Sequence, residues 1–315
     1  MTDDRFSRAD SGQPAEADSE EGRQAVERPV DVSIIIIANN VREEVLACLE
    51  SIARHAGRAT VEVIFVDNAS SDGTAAAVAA EFPETRIIYR STNEGVAARN
   101  YGLRAARGRV RIFLDSDAML TPGAVDELVD FLDRRPDVGL VGPRLVYPDG
   151  TLQLSARRFP PLLLPLLRRP PLDQVFDRRR IVRRHLMADH PYHRTREVEY
   201  VLGACQAFTA EVQELVGEID PSIFYGPDDA DWCLRIRRAG RKVVYHPAAT
   251  VIHAYRRGSR RRPVSRLALR HLRAYYYFQW KWRRSRRRLH REGRAMDRQA
   301  AKEAVSSTES SGGEP

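Results

Sequence analysis

From Val32 the chain reads VSIIIIA, a β-branched apolar run with hardly a polar break. A strand with one wet face alternates apolar and polar residues; a continuous run is stable as a strand only when both faces are covered, as in a parallel sheet with helices on each side. The following text repeats the theme. A helical pattern over Glu43 to His55 leads to VEVIFVD (61 to 67), a helix over Thr74 to Glu81, TRIIYR (85 to 90), a helix over Val96 to Arg107, and RVRIFLD (109 to 115). Such alternation implies right-handed parallel crossovers, so the expected fold class is α/β with a mostly parallel central sheet flanked by helices.

Each passage from strand to helix is punctuated by polar or turn residues: Asn39-Asn40, Asn68 through Gly73, and Asn93-Glu94-Gly95. In open sheets these carboxyl ends of the strands line the ligand crevice. A helix near Pro122 to Arg134 follows, then a strand and a Pro-Asp-Gly turn in VGLVGPRLVYPDG. Residues 157 to 197 mix Pro-rich apolar text with basic runs and read as a mobile loop or surface patch. A second ordered block, Val198 to about Tyr255, carries a turn at Gly203, a short helix near Ala210 to Val216 and a helix beginning at Asp228.

With 315 residues and 43% hydrophobic content the chain can bury one large core. The expected division is a disordered acidic tail (1 to 28), one catalytic domain (29 to 258, with 157 to 197 as a basic insertion), a basic aromatic helical region (259 to 294) and a disordered tail (295 to 315). No window approaches the ~20 apolar residues of a membrane span and the polar start lacks the order of a signal peptide, so a cytoplasmic location is expected. Cys48, Cys205 and Cys233 show no C-x-x-C spacing and read as buried, reduced thiols.

Three constellations carry chemistry. Asp115-Ser116-Asp117 stands where the fourth strand ends, placing two carboxylates beside the crevice; a divalent ion such as Mg²⁺ or Mn²⁺ is held by one or two carboxylates plus phosphate oxygens and water. Asp67 closes the second strand and is followed by Asn68, Ser70 and Ser71, donors and acceptors suited to a base and ribose. Arg99 follows Asn93 and Gly95 in a helix whose start faces the crevice, where a guanidinium can neutralise a diphosphate. The third group is FYGPDDADWCLRIRRAG, in which Asp228, Asp229 and Asp231 open a helix. Either Asp228 or Asp231 can serve as its N-cap, and the helix start should keep a neighbouring carboxylate ionised, as a general base must be. Trp232 reads as core packing or as an apolar wall of the site.

Taken in order, VSIIIIANN, EVIFVDNASSDGT, NEGVAARNYGL, FLDSD, VGPRLVYPDG, VLGACQAFTAE and DDADWCLRIRRAG resemble family 2 glycosyltransferases of the GT-A fold, particularly rhamnosyltransferase-like members, over about residues 31 to 255. The resemblance implies an inverting displacement at a nucleotide-diphosphate sugar (dTDP- or UDP-linked), with a base deprotonating the acceptor. Carried over by position, it assigns the nucleotide sugar to Ala38, Asn39, Asp67, Asn68, Asn93, Gly95, Arg99, Asp115 and Ser116. It assigns Mn²⁺ or Mg²⁺ to Asp115, Asp117 and His253, the last of which alone would read as a structural histidine. Asp229 would be the base and Gly203, Asp231 and Trp232 would lie on the acceptor side. Two departures matter: Asn39-Asn40 replaces a tyrosine-asparagine pair, and Asp228 replaces a glutamate, which leaves the base between Asp228 and Asp229.

Residues 264 to 290 place Val264, Ala268, Leu272, Tyr275 and Trp282 along one helical face among many arginines, an interfacial pattern suited to an anionic membrane. A helix packed on the catalytic domain fits the same text. The expected partners are thus a nucleotide sugar, a glycan or polyprenyl-linked acceptor and an anionic membrane surface. A non-catalytic basic protein that binds nucleic acid or membrane is the competing reading, and it leaves the seven ordered motifs unexplained.

Overall fold

The first half of the chain folds as its alternation demands. In a computed structural model, which describes residues 29–162, 164, 178–254, 266–285 and 291, strands β1 (Val32–Ala38), β2 (Val61–Asn68), β3 (Arg86–Arg90) and β4 (Val110–Leu114) run parallel in the order β3-β2-β1-β4. Helices α1 (Arg42–His55), α2 (Thr74–Glu81) and α3 (Arg99–Ala105) make the crossovers, the last entered through a 3₁₀ turn at Gly95–Ala98. The unbroken apolar run of β1 is explained by its two faces. Ile34 and Ile36 pack with Val45 and Leu49, while Ile35 packs in a separate cluster with Leu103 and Trp232. Burying each such side chain contributes roughly 1.5–3 kcal/mol.

The second half is less regular. It comprises β5 (Ala118–Leu120), α4 (Ala124–Arg134), β6 (Val138–Val146), the short strands β7 (Leu152–Gln153) and β8 (Ala156–Arg157), and α5 (Arg178–His185). Then come β9 (Arg196–Glu197), β10 (Tyr200–Val201), β11 (Cys205–Thr209), α6 (Ala210–Val216), α7 (Asp228–Arg238), β12 (Lys242–His253) and α8 (Arg266–Lys281). The sheet continues β4-β11-β6-β12-β5, with β11 antiparallel to both neighbours and β12 parallel to β6 but antiparallel to β5. Parallel pairing therefore dominates the first half only. β11 is reached from β10 through the turn at 202–204 and not from β4, so it is free to run antiparallel to β4.

One expectation needs correction, and one pair of alternatives is decided. Parts of 157–197 belong to the core: Tyr192 and Leu164 are buried, and the Tyr192 hydroxyl donates to the Ala156 carbonyl at 3.1 Å. Local composition hid this because isolated aromatic anchors sit among basic residues; 163 and 165–177 lie outside the described residues, as do both expected tails. In the C-terminal helix, the face carrying Tyr275 and Trp282 is the packed one. Ala274, Tyr275, Phe278 and Gln279 are buried, Gln279 donates to the Pro160 carbonyl at 2.9 Å, and Trp282 Nε1 donates to Asp231 Oδ1 at 2.8 Å. The exposed apolar set is instead Leu269, Tyr276 and Trp280. Val264 lies outside the described residues. All three cysteines are free and buried.

Candidate active site

The register Ala38↔Asp67 between β1 and β2, with Ile35↔Phe113 between β1 and β4, brings three strand ends to one edge. The loops leaving them are fastened to one another. Asn39 Nδ2 donates to the carbonyls of Asn68 and Ala69 at 3.0 and 2.8 Å. Asn68 accepts from Glu94 N at 2.9 Å and donates to Asn93 Oδ1 and the Gly95 carbonyl, both at 3.1 Å. Gly95 adopts φ +63°, and a Cβ there would fall 1.9 Å from the Phe224 carbonyl oxygen, so only glycine fits. That same oxygen accepts from Val96 N at 3.0 Å, tying the third loop to the segment just before Asp228.

Asn39, Asn68 and Asn93 thus fasten the loops to one another. Asp67 is buried and accepts from Ser70 N at 3.3 Å, beside Ala38 at the end of β1. Ser116 is half-buried between the two aspartates that follow β4.

Asp115, Asp117 and His253 each present one ligand atom, all within 4.8 Å of one another. The cluster is assembled by strand pairing: β12 runs antiparallel to β5 with His253 opposite Ala118, and Ala254 N donates to the Asp117 carbonyl at 3.0 Å. His253 Nε2 lies 3.2 Å from Asp117 Oδ1 and 4.0 Å from Asp115 Oδ2, while its Nδ1 pairs with Gln153 Oε1 at 2.7 Å. Since an amide oxygen only accepts, Nδ1 carries a proton, and Nε2 is the ring nitrogen that faces the aspartates. Burial pulls the imidazole pKa down, but the Asp117 hydrogen bond and the charges of Asp115 and Asp117 outweigh it, leaving a net upward shift. Burial likewise pushes the Asp115 carboxyl up, against the pull of Arg99 and His253. Two carboxylates and an imidazole nitrogen, whose Nε2 proton a bound cation would displace, form a donor set that suits Mn²⁺.

Arg99 is buried, and its guanidinium is turned onto protein: Nη2 donates to Asp115 Oδ1 at 2.6 Å and to the Gly203 carbonyl at 3.1 Å, and Nη1 approaches Asp228 Oδ2 at 3.4 Å. It therefore bridges the acidic residues after β4 and those opening α7. A diphosphate would have to compete with these partners for it.

Neither Asp228 nor Asp231 caps α7. Pro227 stands at that position without a side-chain cap, and Asp228 Oδ1 accepts from Gly226 N at 3.1 Å. Asp229 accepts from Ala230 N at 2.7 Å, and its carboxyl is pushed up to about 7 by burial first and by the Asp228 charge second, with Arg157 and Arg99 pulling it back. Desolvation here outweighs the helix dipole that was expected to keep the group fully ionised. Asp231 and Trp232, expected on the acceptor side, are both enclosed by protein. Asp231 is buried against Arg235 (3.1 Å), Lys281 (2.8 Å) and Trp282, and Trp232 is enclosed with Phe113 and Phe208. Gly203 does sit at the meeting point, with Asp229 Cβ 3.6 Å from where its own Cβ would be.

Sequence reasoning missed Gln153. The hairpin that follows Pro148-Asp149-Gly150 sets it opposite Leu145, and the turn was readable while the residue's partner, a hundred positions away, was not.

A model of the family described as Glycosyl transferase family 2 matches residues 33–199. The chain is 28% identical over 237 residues to the N-acetylglucosaminyl-diphospho-decaprenol L-rhamnosyltransferase of Mycobacterium tuberculosis, covering 69% of this chain and 74% of that one. It is 37% identical over 111 residues to the succinoglycan biosynthesis protein ExoO of Rhizobium meliloti, covering 35% of this chain and 32% of that one. Among solved structures, GalNAc-T7 with UDP, GalNAc and Mn²⁺ superposes with a TM-score of 0.56 at 17% identity, covering 72% of this chain and 43% of that one. The mannosyltransferase PcManGT of Pyrobaculum calidifontis, with GDP-Man and Mn²⁺, gives 0.51 at 22% identity, covering 74% and 59%. The chain thus spans less than two thirds of either solved chain, and the likeness to them is one of fold.

Proposed function

Because the chain belongs to glycosyltransferase family 2, we propose that it moves a sugar, rhamnose or another hexose, from a dTDP- or UDP-linked donor to a hydroxyl of a lipid-linked or cell-envelope glycan, with inversion and with Mn²⁺ or Mg²⁺. The observation that carries the proposal is Arg99, which touches both Asp115 and Asp228 and so joins the aspartates after β4 to those of α7 at one point. The name of the mycobacterial relative supports the lipid-linked acceptor and the rhamnosyl donor.

Asp115, Asp117 and His253 would hold the cation, which when bound supplies charge stabilisation for the departing diphosphate. Asp229 is the better base of the two candidates. Asp228 spends one oxygen on Gly226 N and the other on Arg99, whereas Asp229 makes no ion pair among the described residues. With its pKa near 7 it can take the acceptor's proton at neutral pH, as that oxygen attacks the anomeric carbon and the bond to the donor diphosphate breaks. Asp67 and Ala38 border the nucleoside, and Gly203 lets the acceptor approach.

Among the described residues no helix is long and apolar enough to cross a membrane. Leu269 and Trp280, 69% and 60% exposed, share the outer side of α8 with Tyr276, Arg270 and Arg273. We take this face to rest on an anionic membrane from the cytoplasmic side, each basic residue adding about 1 kcal/mol. Co-sedimentation with anionic vesicles should fall on Leu269→Ser with Trp280→Ser; unchanged binding, or competition by RNA, rejects that surface.

The activity itself is tested by offering purified protein a panel of nucleotide sugars with Mn²⁺ or Mg²⁺ and a prenyl-diphosphate-linked acceptor. Acceptor-dependent release of nucleoside diphosphate is the expected result; none from any donor would reject the proposal.

A further inference from the structure

Two buried arginines of the crevice differ in what answers them. Arg99 meets two carboxylates and a carbonyl. Arg157, only 9% exposed, donates from Nη1 to the carbonyl of its own neighbour Ala156 at 3.3 Å, and among the described residues no carboxylate lies within ion-pair reach of it. Most of its five N–H donors are left without a protein acceptor, and its unpaired nitrogens are not among the fully enclosed unsatisfied atoms, so a mostly buried side chain still offers free donors to the crevice.

Its position is set by the fold. The two-stranded pairing of β8 with β10 places Arg157 opposite Tyr200, and Leu202 N donates to the Ser155 carbonyl at 3.0 Å, so the next residue is Gly203, where Arg99 and Asp229 converge. The charge is felt there: Arg157 pulls on the Asp229 carboxyl more strongly than Arg99 does. A planar fork of donors matches phosphate oxygens in bidentate fashion. With Arg99 claimed by Asp115 and Asp228, a diphosphate entering the crevice would find Arg157 uncommitted.

We propose that Arg157 is a diphosphate-binding residue of the crevice, its buried guanidinium held in reserve for an anionic ligand. The identity of that diphosphate rests on the glycosyltransferase reading: it belongs either to the donor or to a lipid-diphosphate acceptor, and the two sources share one chemistry.

The test compares the full chain with Arg157→Gln and Arg157→Lys by titration calorimetry at fixed Mg²⁺, using inorganic pyrophosphate, UDP and a short-chain prenyl diphosphate. Arg157→Gln should weaken pyrophosphate at least about ten-fold, and Arg157→Lys, which keeps the charge but loses the fork, should recover part of it. Loss confined to UDP assigns the site to the donor, and loss confined to the prenyl diphosphate assigns it to the acceptor. Without ligand, Arg157→Gln should melt no lower than wild type, since no ion pair is lost; a structural arginine would give a fall. Affinities for all three probes equal to wild type in both variants overturn the inference. Nucleotide release measured on the same wild-type preparation separates that failure from failure of the activity itself.

Discussion

The strands and loops up to residue 114 and the elements from Asp115 to His253 meet at one crevice, yet they treat buried polarity in opposite ways. On the first side Asn39, Asn68 and Asn93 answer each other and the backbone, leaving a seat complete before anything binds. On the second side charge is buried with partial compensation: Asp229 is pushed up to about 7, Asp115 is pushed up, and Arg157 lacks a carboxylate partner among the described residues. Groups held away from their preferred state are where ligands have most to relieve, so the first side should govern stability and the second activity.

The contrast can be broken most sharply at Asp229. Asp229→Asn should cut turnover by about 10²–10⁴-fold while nucleotide affinity, followed by calorimetry, stays near wild type. The same variant should melt higher than wild type above pH 7. A carboxyl raised in the folded state favours folding while it stays protonated and loses that contribution as pH climbs to about 7, a loss the amide does not share. Lower melting together with full activity would place Asp229 on the structural side. Next in size, Asp117→Ala should reduce Mn²⁺-dependent nucleotide binding by about 100-fold, read by titration with and without the metal. Gln153→Leu, which frees the His253 ring from its acceptor, should weaken Mn²⁺ affinity by about 10- to 100-fold without unfolding the chain. For the wild type, kcat/KM should fall about ten-fold per pH unit below 7 as Asp229 takes up its proton, a limb that Asp229→Asn should lack. The smallest effect belongs to the other side: Asn68→Ala should lower stability by about 1–3 kcal/mol in denaturant melts while leaving kcat within a few-fold.

What the sequence disclosed follows the same divide. Strands β1 to β4 and their helices were legible because each apolar run is local and covered on both faces, and Asp67, Asp115 and Asp117 were legible because they end those runs. His253 could be given to the cation only through family likeness, since strand pairing, not spacing, carries it to Ala118. Gln153 and Arg157 gave no signal, for their meaning depends on short strands paired far from the acidic motifs. The acidic helix misled for a geometric reason. At 100° per residue Asp229 and Asp231 are nearly opposed, so one looks on the crevice and the other on α8.

The bonds from Lys281 and Trp282 to Asp231 carry a practical consequence for anyone choosing expression boundaries. Trimming the polypeptide ahead of residue 266, to be rid of its arginine-rich end, would leave the buried Asp231 carboxylate with Arg235 alone and uncover the apolar cluster that Phe278 completes. The minimal working fragment therefore runs at least through Trp282, well past the last strand.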